Sequence, residues 1–232
     1  VSIFKECFAQ TTNFKSTLGR KYPTTGTVRL LVILVNFSDL SFTYTNQNFT
    51  NLVSQHNYNG VGSVKDYYSQ NSDSVFNMQI DVVGPYTLSN TMAYYGSDSP
   101  YQDHNIAYFV SHAINAADPY VNYANYDNDG DGVVDAIHII FAGTPQSSTG
   151  NTNEIWPHRS NVSSSIVKDG VRFSAYSCSA EKKSSTQMDG IGTVCHEFGH
   201  VLGFPDYYDT DYSGSGGTSN TLSSWDLMDE GS

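Results

Sequence analysis

Continuous aliphatic runs and stretches of helical period take turns along this chain. "VRLLVILVNF" (28–37) is apolar and rich in β-branched residues, which predicts a central strand buried on both faces. "NQNFTNLVSQH" (46–56) sets Phe49, Leu52 and Val53 on one side of a short helix. "SVKDYYSQNS" opens with Ser63 and has Asp66 three residues on, a capping-box-like helix start. "VFNMQIDVVG" (75–84) alternates as a strand does. "DHNIAYFVSHAINAAD" (103–118) spaces Ile106, Phe109, Val110, Ala113 and Ile114 for a helix, with Asp103 as the expected N-cap and Pro119 as its stop. "VVDAIHIIFAG" (133–143) predicts a second buried strand. "IWPHR" and "VRFSAYSCSAE" predict further strands, the first at a sheet edge because Pro157 cannot donate to a ladder. Residues 190–202 predict another helix, and 207–224, rich in Gly, Ser, Thr and Tyr, a loop. Strands and helices are interspersed, so the expected architecture is α+β, a mixed sheet covered by helices. Residues 1–26 are polar and read as an extended lead-in or pro-segment remnant, which leaves 27–232 as one domain.

The helix at 190–202 carries the chemistry. Its apolar face (Ile191, Val194, Phe198, Val201, Leu202) is interrupted by His196, Glu197 and His200. Burying those three without partners is expensive. Two histidines four apart lie one turn apart on one helix face and can reach a single ion. Glu197 can lean over the open coordination position. This is the H-E-x-x-H arrangement, in which two histidines bind Zn²⁺ and the glutamate is the general base. Catalytic zinc takes three protein ligands and leaves one place for water. Gly203 can end the helix at positive φ, and Pro205 stiffens the turn. Asp206 then arrives ten residues after His196 and completes a set of His196, His200 and Asp206.

"HEFGHVLGFPD" resembles the H-E-x-x-H-x-x-G-x-x-(H/D) pattern of the metzincin clan, with the final aspartate of its snapalysin-like members. "WDLMDEGS" (225–232) resembles the segment that carries the clan's Met-turn, with Met228 beneath the metal. "YPTTGTVRLLVILVNFSD", "SVKDYYSQNS", "YDNDGDGVVDAIHIIFAG", "IWPHR" and "CHEFGHVLGFPDYYD" are together similar, in that order, to the immune inhibitor A family of secreted bacterial metallopeptidases. The resemblance implies a metzincin-like zincin with a twisted mixed sheet, a backing helix and an active-site helix. A smaller irregular lobe would follow from about residue 204. It also implies a secreted or cell-surface bacterial zinc endopeptidase acting on protein or peptide substrates. Ser232 comes four residues after Met228, where family members continue, so the lower lobe is expected to be incomplete or closed by another chain.

Charge and composition narrow the alternatives. The net charge of −12, with 11 Lys+Arg, weighs against nucleic acid or anionic membrane as main partner. No apolar run approaches the roughly 18 residues of a membrane span. Val1 opens no signal peptide. Charged residues make up only 15% of the chain, so Ser, Thr, Asn and Tyr supply its polar surface, as in secreted bacterial proteins. Cys7, Cys178 and Cys195 are too few for a disulfide framework. Cys7 has three open roles: a bridge to Cys178, an incidental thiol, or a latency ligand to the zinc.

"DNDGDGVVD" (127–135) offers Asp127, Asp129, Asp131, the Val133 carbonyl and Asp135 at calcium-loop positions 1, 3, 5, 7 and 9, with Gly132 at the tight turn. Position 12 is His138 and a strand follows, so this is a calcium loop without an EF-hand; a solvated acidic turn is the alternative. His158 is a substrate-side residue, a group behind the metal ligands, or an edge-strand histidine satisfied by backbone. Glu181 is expected at the surface, and His112 and His138 as satisfied core histidines. Tyr207, Tyr208 and Tyr212 follow the third ligand; packing is their expected role, and the alternative, by resemblance to some metzincins, is that one of them donates to the tetrahedral oxyanion. Two other functions compete: a non-catalytic calcium-stabilised binding module that retains a metal site, and another zinc hydrolase such as a deformylase. Glu197 argues against the first and Asp206 against the second.

Overall fold

The computed structural model describes residues 22–211, 214, 221–229 and 231. Its first strand, β1 (Gly26–Asn36), is followed by two short helices, α1 (Asn46–Ser54) and α2 (Val64–Asn71). Both begin with a capping box, Thr45 with Asn48 and Ser63 with Asp66, which satisfies orphan N–H groups at each start. Strand β2 (Phe76–Thr87) leads through α3 (Met92–Gly96) into α4 (Ile106–Ala117). Then come β3 (Val133–Phe141), the turn-length α5 (Gln146–Thr149), β4 (His158–Asn161), β5 (Val167–Lys168) and β6 (Val171–Ala180). A small hairpin, β7 (Lys182–Ser184) with β8 (Gln187–Met188), precedes α6 (Ile191–Leu202).

The main sheet runs β2-β1-β3-β6-β4, with β5 paired to β6. β2, β1, β3 and β6 are parallel, and β4 and β5 lie antiparallel to β6, so the sheet is mixed, with β4 at one edge and β2 at the other. β1 is buried on both faces, as its sequence predicts. Leu31, Ile33 and Val35 face one core layer with α4, whereas Val28, Leu30, Val32 and Leu34 face the other with α1, α2 and α6. Each such side chain contributes roughly 1.5–3 kcal/mol by leaving water.

Two local expectations fail. Asp103 does not cap α4: Asn105 occupies that place, with no side-chain bond to the helix. Asp103 sits at φ +47°, and its buried carboxylate turns away to accept the Trp156 N–H at 3.2 Å. A partner 53 residues away outcompetes the local one. Glu181 is not at the surface but fully buried at the end of β6. One of its carboxylate oxygens accepts N–H bonds from Thr43 (2.5 Å) and Tyr44 (3.0 Å), the other from Gly143 (3.0 Å). It therefore ties the loops after β1 and β3 to the strand that leads toward α6. Cys7 and Tyr212 lie outside the described residues.

Candidate metal centre

Helix α6 buries Val194, Cys195, Phe198, Val201 and Leu202 against the sheet. Tyr22 and Tyr68 pack edge-on to Phe198, and Tyr68 donates its hydroxyl to the Cys195 carbonyl at 2.6 Å. With that face anchored, His196 and His200 project from the helix with their rings 4.8 Å apart. The helix stops at Gly203, whose φ of +100° is one that side chains resist, and the chain turns back to bring Asp206 alongside.

Backbone carbonyls orient both imidazoles. His196 Nδ1 donates to Leu227 O at 2.7 Å and His200 Nδ1 to Phe204 O at 2.8 Å. A carbonyl only accepts, so each Nδ1 carries the proton and each Nε2 presents a lone pair. The two Nε2 atoms stand 3.2 Å apart, and Asp206 Oδ1 stands 3.3 and 3.2 Å from them. Around a tetrahedral ion with bonds of about 2.0–2.1 Å, neighbouring ligand atoms are about 3.3–3.4 Å apart. Asp206 Oδ1 is buried and accepts no hydrogen bond. Two lone pairs and an orphaned carboxylate oxygen converge on one point at the spacing of an ion of zinc's size.

The segment that supplies the Leu227 carbonyl is held equally closely. Met228 is buried, and its sulfur packs directly on Gly199, where an added Cβ would stand 2.7 Å from it. The Met228 carbonyl in turn accepts the Tyr207 N–H at 2.8 Å, next to Asp206. Glu197 is also buried. Burial pushes its carboxyl up to about 8, against the pull of His158 and with the support of Asp206.

Residues 19–232 match the immune inhibitor A peptidase M6 catalytic domain. The chain belongs to the immune inhibitor A peptidase M6 family. Pre-pro-metalloprotease PrtV of Vibrio cholerae serotype O1 is 30% identical over 231 residues, covering 85% of this chain and 23% of that protein. Immune inhibitor A of Bacillus thuringiensis subsp. alesti is 28% identical over 203 residues, covering 74% of this chain and 28% of that protein. This M6 chain thus spans about a quarter of the length of these curated relatives.

Other candidate residues fare unevenly. Asp127, Asp129 and Asp131 offer ligand oxygens within 4.8 Å of one another. Asp135 is not among them: its Oδ2 accepts both the N–H and the side-chain amide of Asn128 at 3.0 Å. Val133 opens β3 directly after the cluster. His138 is a satisfied core histidine. Its ring nitrogens meet the Ser177 and Ser179 hydroxyls at 2.8 and 2.9 Å, and burial pushes its pKa down to about 3. His112 meets the Tyr95 hydroxyl at 2.9 Å. His158, first on the edge strand, donates from Nδ1 to Trp156 O, and its Nε2 meets the Tyr176 hydroxyl, both at 2.7 Å. Tyr207 and Tyr208 are exposed. Cys178 and Cys195 are free, buried thiols, with Cys178 Sγ 3.6 Å from His158 Nδ1.

No described helix is long and apolar enough to cross a membrane. The edge-strand cluster of Asp103, Trp156, His158 and Tyr176 was missed as a unit in the sequence. Only "IWPHR" signalled it.

Proposed function

We propose that this domain is a secreted bacterial endopeptidase of metzincin type, with zinc held by His196 Nε2, His200 Nε2 and Asp206. The observation that carries the proposal is the buried, partnerless Asp206 Oδ1 set 3.2–3.3 Å from two oriented imidazole nitrogens. A zinc ion, when bound, polarises the scissile carbonyl and acidifies the attacking water. The chain's own residues do the rest. A substrate peptide adds to the free edge of β4, where strand pairing satisfies its backbone. Glu197, buried beside the triad, takes the water's proton on a carboxylate oxygen and returns it to the leaving amine nitrogen, while the water oxygen forms the new acyl bond. Met228 and Gly199 hold the Leu227 carbonyl against His196, keeping its Nε2 aimed at the ion.

Calcium belongs to the same proposal, at Asp127, Asp129 and Asp131, with the Val133 carbonyl completing the loop and Asp135 acting through Asn128 or a water. The loop joins the chain after α4 to β3, so an ion there stiffens the sheet and not the chemistry. A non-catalytic binding module has no use for a buried carboxyl at Glu197.

Metal analysis with cleavage of a peptide library tests the reading. The wild-type domain should carry about one zinc and cleave peptides. Glu197→Ala should keep the zinc and lose activity by about 10²–10⁴-fold, the range for a general acid–base group. Equal turnover in the two proteins removes Glu197 from the mechanism.

A further inference from the structure

The edge strand carries a cation that no described carboxylate balances. Arg159, second in β4, has its Nε buried without a hydrogen-bond partner. Burial holds its guanidinium below the usual arginine pKa. Among the described residues, the arginine and lysine side chains that form ion pairs are Arg29 with Asp81 and Lys168 with Asp118, so no described carboxylate pairs with Arg159. A partly desolvated guanidinium without a counter-charge is costly, and the cost is recovered when an anion arrives. Its planar fork suits a carboxylate in two parallel hydrogen bonds.

The ladder fixes where Arg159 points. It pairs with Ser177, and residues opposite each other in a ladder share a face. Ser177 bonds His138, which alternates onto the same face as Ala136 and Ile140. That is the face packed by α6. Arg159 therefore emerges on the side where α6 holds the triad. His158, one residue earlier, acts on Glu197 electrostatically. Arg159 follows it on β4, one residue closer to Asn161. A peptide laid antiparallel to β4 has its N-terminal side in that direction.

We propose that Arg159 is a specificity determinant that selects an Asp or Glu side chain on the N-terminal side of the scissile bond. This rests on the peptidase reading above, with β4 as the strand that takes the substrate. The only chemistry added is a bidentate ion pair.

The test compares the zinc-loaded wild-type domain, Arg159→Gln and Arg159→Lys on fluorogenic peptides. The peptides carry Glu or Gln at successive positions before the scissile bond. At one position the wild type should show a kcat/KM about ten-fold higher for Glu, the scale of one charge-assisted pair. Arg159→Gln should bring that ratio near one, chiefly through KM, and Arg159→Lys should keep part of it. The same peptides are bound to Glu197→Ala and followed by fluorescence anisotropy, which reads the preference without turnover. Cleavage with no Glu preference at any position, or a preference that survives in Arg159→Gln, overturns the inference. Selective binding of Glu peptides with no cleavage by the wild type supports Arg159 and contradicts the peptidase reading. Neither binding nor cleavage overturns both.

Discussion

At the end of α6, Asp206 keeps a buried oxygen free of any hydrogen bond beside two imidazole nitrogens. In the acidic loop, Asp127 gives its two oxygens to the backbone N–H groups of Gly130, Asp131 and Gly132 at 2.8–3.1 Å. Both places gather three ligand residues, but they treat them differently. The loop is exposed at Asp129 and Asp131, and water solvates its charges when no ion is present. The triad has no such fallback: leaving a buried acceptor unpaired costs about 1–3 kcal/mol. On the proposed reading, an ion would be an addition to the loop and a completion of the triad. The scaffolds differ accordingly. Backbone carbonyls from Phe204 and Leu227, and a methionine packed on Gly199, set the triad in place. The loop is set by its own turn and by Asn128, which exchanges hydrogen bonds with the Arg29 backbone.

If that contrast is right, damage to the triad's scaffold should matter most. Gly199→Ala forces its new methyl into Met228 and should cost about 1–3 kcal/mol of stability by overpacking. It should also weaken zinc binding, because the Leu227 carbonyl moves with Met228 and His196 loses its orientation. Thermal melts and competition with a chelator measure both. A variant with wild-type zinc affinity would separate Met228 from the metal site.

The loop should respond more mildly. Calcium added to the zinc-replete protein should raise the unfolding free energy by about 1.4 kcal/mol at ten times its dissociation constant, leaving peptide cleavage at saturating substrate unchanged. Asp129→Asn should reduce that shift. No change in melting temperature up to millimolar calcium would reduce the loop to an acidic turn.

A third effect concerns neither centre directly. Burial pushes the Asp103 carboxyl up to about 6, against the pull of His158 and the Trp156 N–H and with the support of Asp98. The unfolded value is about 3.9. The native state thus holds this proton more tightly than the unfolded chain does. Its contribution is full below about pH 4 and is lost as the pH rises through about 6. Asp103→Asn retains an acceptor for Trp156 and removes the titration, so its stability should decline less than that of the wild type across this window. Urea unfolding at several pH values reads the slope, and an unchanged slope contradicts the assignment.

The helix carrying His196, Glu197 and His200 was legible because periodicity, ligand spacing and the terminating glycine all bear on one short segment. β1 was legible for a similar reason, as its uninterrupted apolar run leaves no polar face. What escaped the sequence depended on distant partners. Glu181 finds its donors at Thr43, Tyr44 and Gly143, so no local pattern marks it as buried. Asp103 has the composition of an N-cap, but tertiary structure offers it the Trp156 amide. Asp135 fits ligand spacing, yet Asn128 reaches its Oδ2 first. Arg159 carries no local signal in the sequence; its face follows from the pairing with Ser177, and no described carboxylate pairs with it.

Anomalous diffraction at the zinc edge, on crystals of the zinc-loaded domain and of Asp206→Ala, tests the central claim most directly. The account predicts one strong peak in the wild type, about 2.0–2.2 Å from His196 Nε2, His200 Nε2 and an Asp206 carboxylate oxygen. In Asp206→Ala the peak should be lost or weakened. A full-strength peak in that variant, or a wild-type ion bound elsewhere with Asp206 turned away, would contradict it.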